Sequence, residues 1–272
     1  MNSHATDCST HGGLALYRIP NPGRPPLILN HGVTDNANSL CQAQRALSHK
    51  FDTVAVDARG HGASARFSPQ ELDNPVDRMV ADLVDLLESL NSGPAILVGH
   101  SMGAAVCGEV AARRPDLVSA AVLEDPAWLD SAQLRRYRED GPHLADRIRW
   151  MRTHPSEALA ECRRDYSTWP VEEACAWLQA KMQVDLDFVA TGVVCPSTPW
   201  REVAARLAAP ALVVTSDGAD VLVGPDGITN VDALGNSAVR TCLIPGTRHC
   251  VRRESSTQFM GVVTSFLDEV MA

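Results

Sequence analysis

With 272 residues, the chain is long enough for one large domain carrying a small insertion, and its 45% hydrophobic content supports a packed core and excludes a disordered chain. A formal net charge of −9 and a pI near 5.4 exclude a nucleic-acid partner, because phosphate binding needs clustered cations. Lysine occurs only at positions 50 and 181, so Schiff-base chemistry has few candidates.

The first eight residues lack the cationic start and apolar run of a signal peptide, and no apolar run is long enough to span a bilayer. A chain without membrane segments, placed in the cytoplasm, is the expectation. The eight cysteines lie far apart without Cys-x-x-Cys pairing, which favours free thiols in a reducing compartment over disulfides or zinc. One short edge strand is expected around Leu14 to Arg18. After the turn-rich Pro20–Pro26 comes the apolar strand Leu27–Asn30, followed by a buried run at Thr53–Val56. Met79, Val80, Leu83, Leu87 and Leu90 recur at helical spacing until Gly93-Pro94. Ala95–Val98 predicts a strand, Met102–Arg113 a helix and Val118–Leu123 a further strand.

From Pro126 to Trp200 the pattern is helical without an evident strand. Strands resume at Ala211–Val214 and Val239–Ile244, and a final helix carries Phe259, Val262, Val263, Phe266 and Leu267. Strand–helix alternation with two-sided apolar strands predicts an α/β fold with a mostly parallel central sheet flanked by helices. The expected division is a core of residues 1–125 and 201–272 with a helical cap inserted at 126–200.

The strand Ala95–Val98 runs into Gly99-His100-Ser101-Met102-Gly103, a Gly-x-Ser-x-Gly elbow that pushes a serine hydroxyl clear of the sheet on a turn too tight for flanking side chains. Four further stretches join it in order: Asn30-His31-Gly32-Val33, Asp57-Ala58-Arg59-Gly60-His61-Gly62-Ala63-Ser64, Pro210–Ser216 followed by Asp220-Val221-Leu222, and Ile244-Pro245-Gly246-Thr247-Arg248-His249. From about Leu27 to Leu267 the chain resembles the α/β-hydrolase family, in its cap-bearing serine esterase and lactonase branch.

That resemblance implies Ser101 as nucleophile, His249 as base and a carboxylate to orient the imidazole. Backbone amides of Val33 and Met102 would form the oxyanion hole. Asp220 is the first candidate acid, Glu124 or Asp125 at the end of the preceding strand the second, and Asp217 the third. Asp57 reads as ordering its own turn and Asp35 as a loop or capping residue. His31, His61 and His100 read as turn residues, and no metal or other cofactor is expected.

All five tryptophans fall between Pro126 and Trp200. Most would form the core of the cap, while Trp128, Trp150, Trp169 and Trp177 are candidates for an apolar substrate pocket. Arg252-Arg253 reads as a solvated helix entry, with a substrate carboxylate as the alternative partner. The implied activity is hydrolysis of an ester or lactone of a small, largely apolar molecule through an acyl-enzyme. Carbon–carbon bond hydrolysis by the same triad, and non-catalytic ligand binding on the same fold, are the alternatives. The sequence leaves the natural substrate and the oligomeric state open.

Overall fold

The computed structural model describes residues 6–90 and 92–272. Its elements in chain order are β1 (Asp7–His11), β2 (Leu14–Ile19), β3 (Pro26–Asn30), α1 (Cys41–Leu47), β4 (Asp52–Asp57), α2 (Pro75–Leu90), β5 (Ala95–His100), α3 (Met102–Arg113) and β6 (Val118–Glu124). They continue with α4 (Ser131–Thr153), α5 (Pro155–Asp165), α6 (Val171–Gln183), α7 (Leu186–Thr191), α8 (Trp200–Arg206), β7 (Ala211–Thr215), α9 (Gly224–Asp232), β8 (Val239–Leu243), α10 (Val251–Glu254) and α11 (Ser256–Val270).

The eight strands form one sheet in the order β1-β2-β4-β3-β5-β6-β7-β8, parallel from β3 onward and antiparallel where β1 and β2 join it. Alternate side chains of the central strands feed two cores. Leu27 and Leu29 of β3, with Ile96 and Val98 of β5, pack with α1 and α11. Ile28 and Leu97 point the other way into the larger core with α2 and α3. This two-sided burial is why these strands read as continuous apolar runs.

The N-terminal expectation needs correction. Residues 14–18 lie in β2, the second strand, and the edge is β1. Its sequence Asp-Cys-Ser-Thr-His is too polar to announce a strand, and it is recruited by backbone pairing across the Gly12-Gly13 turn, both glycines having positive φ.

Five helices, α4 to α8, fill the interval between β6 and β7. The last, α8, packs on α3 and so joins the helical layer beside the sheet. Residues of α4 to α7 do not form a separate globule: Ala145, Ile148, Met151 and Phe188 belong to the same core as α2 and α3. A small satellite cluster gathers Cys162, Trp169 and Ala174. The polar side of α6 meets the loops that follow β3, β4 and β8: Asn36 and Asn38 donate to Gln183 and Gln179, Arg66 donates to the Gln183 carbonyl, and Glu173 pairs with Arg253. These loops leave the carboxyl ends of the strands, where ligands of open α/β sheets gather.

Candidate active site

Among the described residues only three non-glycine side chains sit on positive-φ backbone: Thr34 at 61°, Ser101 at 54° and Asp125 at 37°. They leave the adjacent strands β3, β5 and β6. Left-handed backbone costs an L-residue roughly 1–2 kcal/mol, and such strain persists where the surroundings over-determine it.

Ser101 occupies the turn between β5 and α3. Its amide donates to the Glu124 carbonyl at 2.9 Å, and its own carbonyl accepts from Ala105 and Ala127, both at 3.0 Å. The flanking glycines are required by contact. A Cβ on Gly99 would stand 2.5 Å from the Ala104 Cα, and one on Gly103 would stand 2.4 Å from the His31 carbonyl oxygen. At the start of α3 the Met102 amide belongs to the first turn, whose N–H groups have no intrahelical acceptor.

Opposite lies the turn 32–35, closed by the Asp35 amide on the Gly32 carbonyl at 3.1 Å. Gly32 approaches the elbow so closely that a Cβ there would be 3.2 Å from Ser101 Cβ. The Val33 amide has no acceptor among the described residues. His31 and His61 hold this turn to the next one. Each donates from Nδ1 to a carbonyl, of Gly32 and Arg59 respectively, and accepts at Nε2, from the amides of Ala58 and Thr34. Both rings are therefore neutral, and burial above all lowers their pKa values. Asp57 orders its turn as expected, accepting from the Ala37 and Ala63 amides.

His249 follows β8, and its Nδ1 meets Asp125 Oδ2 at 2.5 Å. This corrects the expected ranking of acids: Asp125, placed second, holds the ring, and Asp220, placed first, does not. Asp125 is wholly buried, and its carboxylate is saturated by donors. Leu222 N–H reaches Oδ2 at 2.9 Å, while Val223 N–H and the Thr215 hydroxyl reach Oδ1 at 3.0 and 2.7 Å. The other three candidates support the histidine loop through its backbone. Asp220 accepts from the His249 amide at 3.0 Å, Asp217 from the Gly246 amide at 2.7 Å, and Glu124 from the amide and guanidinium of Arg252 at 2.7 and 2.8 Å. Burial alone would depress the His249 pKa, but the bond and charge of Asp125, with the charges of Glu124 and Asp220, reverse this and raise it above 6.5.

His100, inside the elbow, lies beside His249 with ring centroids 4.7 Å apart, and its Nε2 donates to the His249 carbonyl at 3.3 Å. Its buried Nδ1 has no partner, and burial pushes its pKa well down.

Arg252 and Arg253 do not form a solvated helix entry; they are 7% and 5% exposed. Arg253 pairs with Glu173 of α6 at 2.8 Å and with Asp35 at 3.2 Å, and its guanidinium lies 4.6 Å from the Trp169 ring. Lys181 of α6 joins the same buried cluster, 3.9 Å from Asp35. Asp35 thus carries more than a loop role. Burial alone would raise its pKa, but Arg253, Lys181 and Arg252 hold it below the usual carboxylate range. Sequence reasoning missed Lys181 and Glu173 altogether, because nothing local marks a charged helix residue as buried.

A cavity of about 720 Å³ is walled by Trp128, Leu129, Trp200, Leu222, Val223 and Val231 among others, and Ser101, Asp125 and His249 themselves do not line it. Its walls include Ala105 and Ala127, the two donors to the Ser101 carbonyl, and Leu222 and Val223, two donors to Asp125. Trp128 and Trp200 stack with centroids 5.6 Å apart. Of the four tryptophans expected at a pocket, only Trp128 lines this cavity, and Trp200 joins it. Trp150 stacks on His154, Trp169 on Tyr166, and Trp177 lies beneath Lys181. No group of three or more His, Cys, Asp or Glu among the described residues is arranged to hold a metal ion, and no helix among them is long and apolar enough to cross a membrane.

Residues 25–251 match the model of the alpha/beta hydrolase fold family. The chain belongs to this family. Over 114 residues it is 38% identical to a 2-(acetamidomethylene)succinate hydrolase of Mesorhizobium japonicum, covering 42% of this chain and 40% of that protein. Over 119 residues it is 37% identical to lipase LipV of Mycobacterium tuberculosis, covering 42% of each. These matches span about two fifths of the curated relatives. The crystal structure of an E-2-(acetamidomethylene)succinate hydrolase superimposes with a TM-score of 0.78 at 21% identity, covering 97% of this chain and 99% of the other, which establishes the shared fold. The chain thus has the fold of this family, and the two relatives it matches here are named as a hydrolase and a lipase.

Proposed function

We propose that the protein is a serine hydrolase in which Ser101 attacks, His249 accepts and returns the proton, and Asp125 orients the imidazole. The observation that carries this reading is the 2.5 Å contact between His249 Nδ1 and a fully desolvated Asp125 carboxylate. That bond fixes the tautomer in which Nε2 is the free base and stabilises the imidazolium formed during attack. The amides of Val33 and Met102 are the proposed oxyanion donors. Removing one such donor typically costs about 10²- to 10³-fold in rate. Helices α4 to α7 act as a cap, since α6 touches the loops around the site.

The proposed substrate is an ester or lactone with an uncharged, apolar arm. Each of the buried cations Lys181, Arg252 and Arg253 is already engaged by Asp35, Glu124, Glu173 or Thr34, leaving none committed to a substrate carboxylate. The cavity beside the site has apolar and aromatic walls and carries four carboxylates, Asp73, Asp77, Asp130 and Asp226, against the guanidiniums of Arg138 and Arg201. An anionic arm is disfavoured there, and the volume lies within the roughly 300–1,000 Å³ of small-molecule sites.

Hydrolysis of p-nitrophenyl acetate and hexanoate by wild type and Ser101→Ala tests the reading. Turnover that Ser101→Ala abolishes supports it; negligible turnover by both proteins overturns it. Trp128→Ala is expected to raise KM for the hexanoate several-fold and leave the acetate nearly unchanged.

A further inference from the structure

We propose that Lys181, on α6, is a positioning residue that holds the oxyanion-binding turn in its working conformation. The inference rests on the serine hydrolase reading and extends it to a residue outside the triad. Lys181 is one of two lysines in the chain, and the other, Lys50, makes an ordinary surface pair with Asp268. Lys181 is 5% exposed, and its ammonium donates to the Thr34 carbonyl and to the Thr34 hydroxyl, both at 2.8 Å. Asp35 at 3.9 Å supplies the countercharge, and the Trp177 ring lies 4.9 Å away.

The target of this clamp is unusual. Thr34 adopts φ of 61°, a conformation a β-branched residue avoids, at the third position of the turn 32–35. The Val33 N–H belongs to the Gly32–Val33 peptide, and the Asp35-to-Gly32 bond that closes the turn over it depends on the dihedral angles of Val33 and Thr34. Relaxing Thr34 to negative φ would pull the Asp35 amide off the Gly32 carbonyl, open the turn and release the Gly32–Val33 peptide that carries the donor. The Thr34 amide is tied only at 3.4 Å to His61, so the two short bonds from Lys181 are the strongest restraint on this residue. The clamp comes from a helix of the insertion, whereas the turn belongs to the sheet, so the oxyanion site depends on α6 staying seated.

Lys181 also titrates in a usable range. Burial is the main influence and, with the positive charge of Arg253, lowers its pKa to about 8 against the opposing pull of Asp35. The titratable and charged groups facing it are Asp35, Arg253, Cys250 and Cys162. Asp35 titrates far lower, and burial pushes both thiols up to about 11. Loss of the Lys181 proton weakens a charge-assisted clamp. The alkaline side of the rate profile therefore reports Lys181, whereas His249 governs the acid side with the opposite slope.

The test is steady-state kinetics of wild type, Lys181→Met and Lys181→Arg on p-nitrophenyl acetate from pH 6 to 10, with melting curves for each. Lys181→Met is expected to lower kcat about 10- to 100-fold, short of the full loss of an oxyanion donor, with KM within about twofold. Wild-type kcat should fall above a pH near 8, and Lys181→Arg, which keeps its charge, should lose that fall while retaining most activity. A Lys181→Met enzyme within twofold of wild-type kcat overturns the proposal. So does an alkaline limb that persists in Lys181→Arg, a comparison that decides the matter if Lys181→Met does not fold. Failure of wild type itself to turn over the ester overturns the parent reading along with this one, and is told apart by that single control.

Discussion

The four carboxylates around His249 divide one task into two. Asp125 acts on the ring, while Asp220, Asp217 and Glu124 hold the backbone or the neighbouring arginine of the loop that presents it. Asp125→Asn should therefore lower kcat about 10⁴-fold, because the amide favours the wrong imidazole tautomer. Asp220→Asn should cost less than about tenfold, since it weakens one hydrogen bond to a backbone amide. Parallel kinetics of the two variants check the ranking. Because His249 must be neutral to accept a proton and its pKa lies above 6.5, kcat/KM of wild type should be half lost on acidification at a pH above 6.5. The Ser-Met-Gly elbow and the histidine were legible as a pattern of residues. The carboxylate that meets the ring was not, because two strands end in carboxylates within reach and the choice between them lies in three-dimensional donors. The Thr215 hydroxyl and the Leu222 and Val223 amides converge on the end of β6, which is what a desolvated carboxylate needs there.

At the level of elements, small residues decide how near α3 comes to the sheet. Gly103 lies under the His31 and Asn30 carbonyls, at 2.4 and 2.5 Å from where a Cβ would be. Gly103→Ala should displace backbone against backbone and cost several kcal/mol, at or above the roughly 1–3 kcal/mol typical of overpacking, read as a loss of soluble folded protein or a large drop in Tm. Helix α6 is tied to α10 by the Glu173–Arg253 pair, both partners nearly fully buried. Glu173→Leu strips a buried guanidinium of one of its two carboxylates and should destabilise by about 3 kcal/mol in urea unfolding. The apolar strands and the helical stretch after Pro126 were readable in the sequence because burial on both faces makes a strand a continuous apolar run and burial on one face gives a helix a period of 3.6. The ties between α6 and the core were not, since charged helix residues look alike whether they face water or a buried partner. The edge strand β1 escaped for a related reason: backbone pairing, not side-chain pattern, makes it a strand.

For the molecule as a whole, buried neutral histidines set the acid limit of stability. His31, His61 and His100 all have folded pKa values below the unfolded 6.5, chiefly through burial. As pH falls through about 6.5 the unfolded chain gains protons at these sites that the folded protein does not, so stability falls, by up to about 1.4 kcal/mol per pH unit for each proton of difference. His249, whose pKa is raised, has the opposite sign, and its contribution is lost as pH rises through its folded pKa above 6.5. Asp35 adds its own loss only below the unfolded carboxylate range. The melting temperature should therefore decline between pH 7 and 5, ahead of carboxylate titration, and His61→Asn should flatten that decline.

One feature of connectivity bears on how such a protein can be altered. Ser101 and Asp125 leave neighbouring strands, and both precede the five helices that separate β6 from β7. The proposed nucleophile and acid are thus set by strand pairing before the chain enters the insertion, and only the histidine lies beyond it. Strand pairing keeps that first pair in register, while any replacement for α4 to α7 must still supply an ammonium for the Thr34 carbonyl, a carboxylate for Arg253 and side chains that fill the core beside α2 and α3.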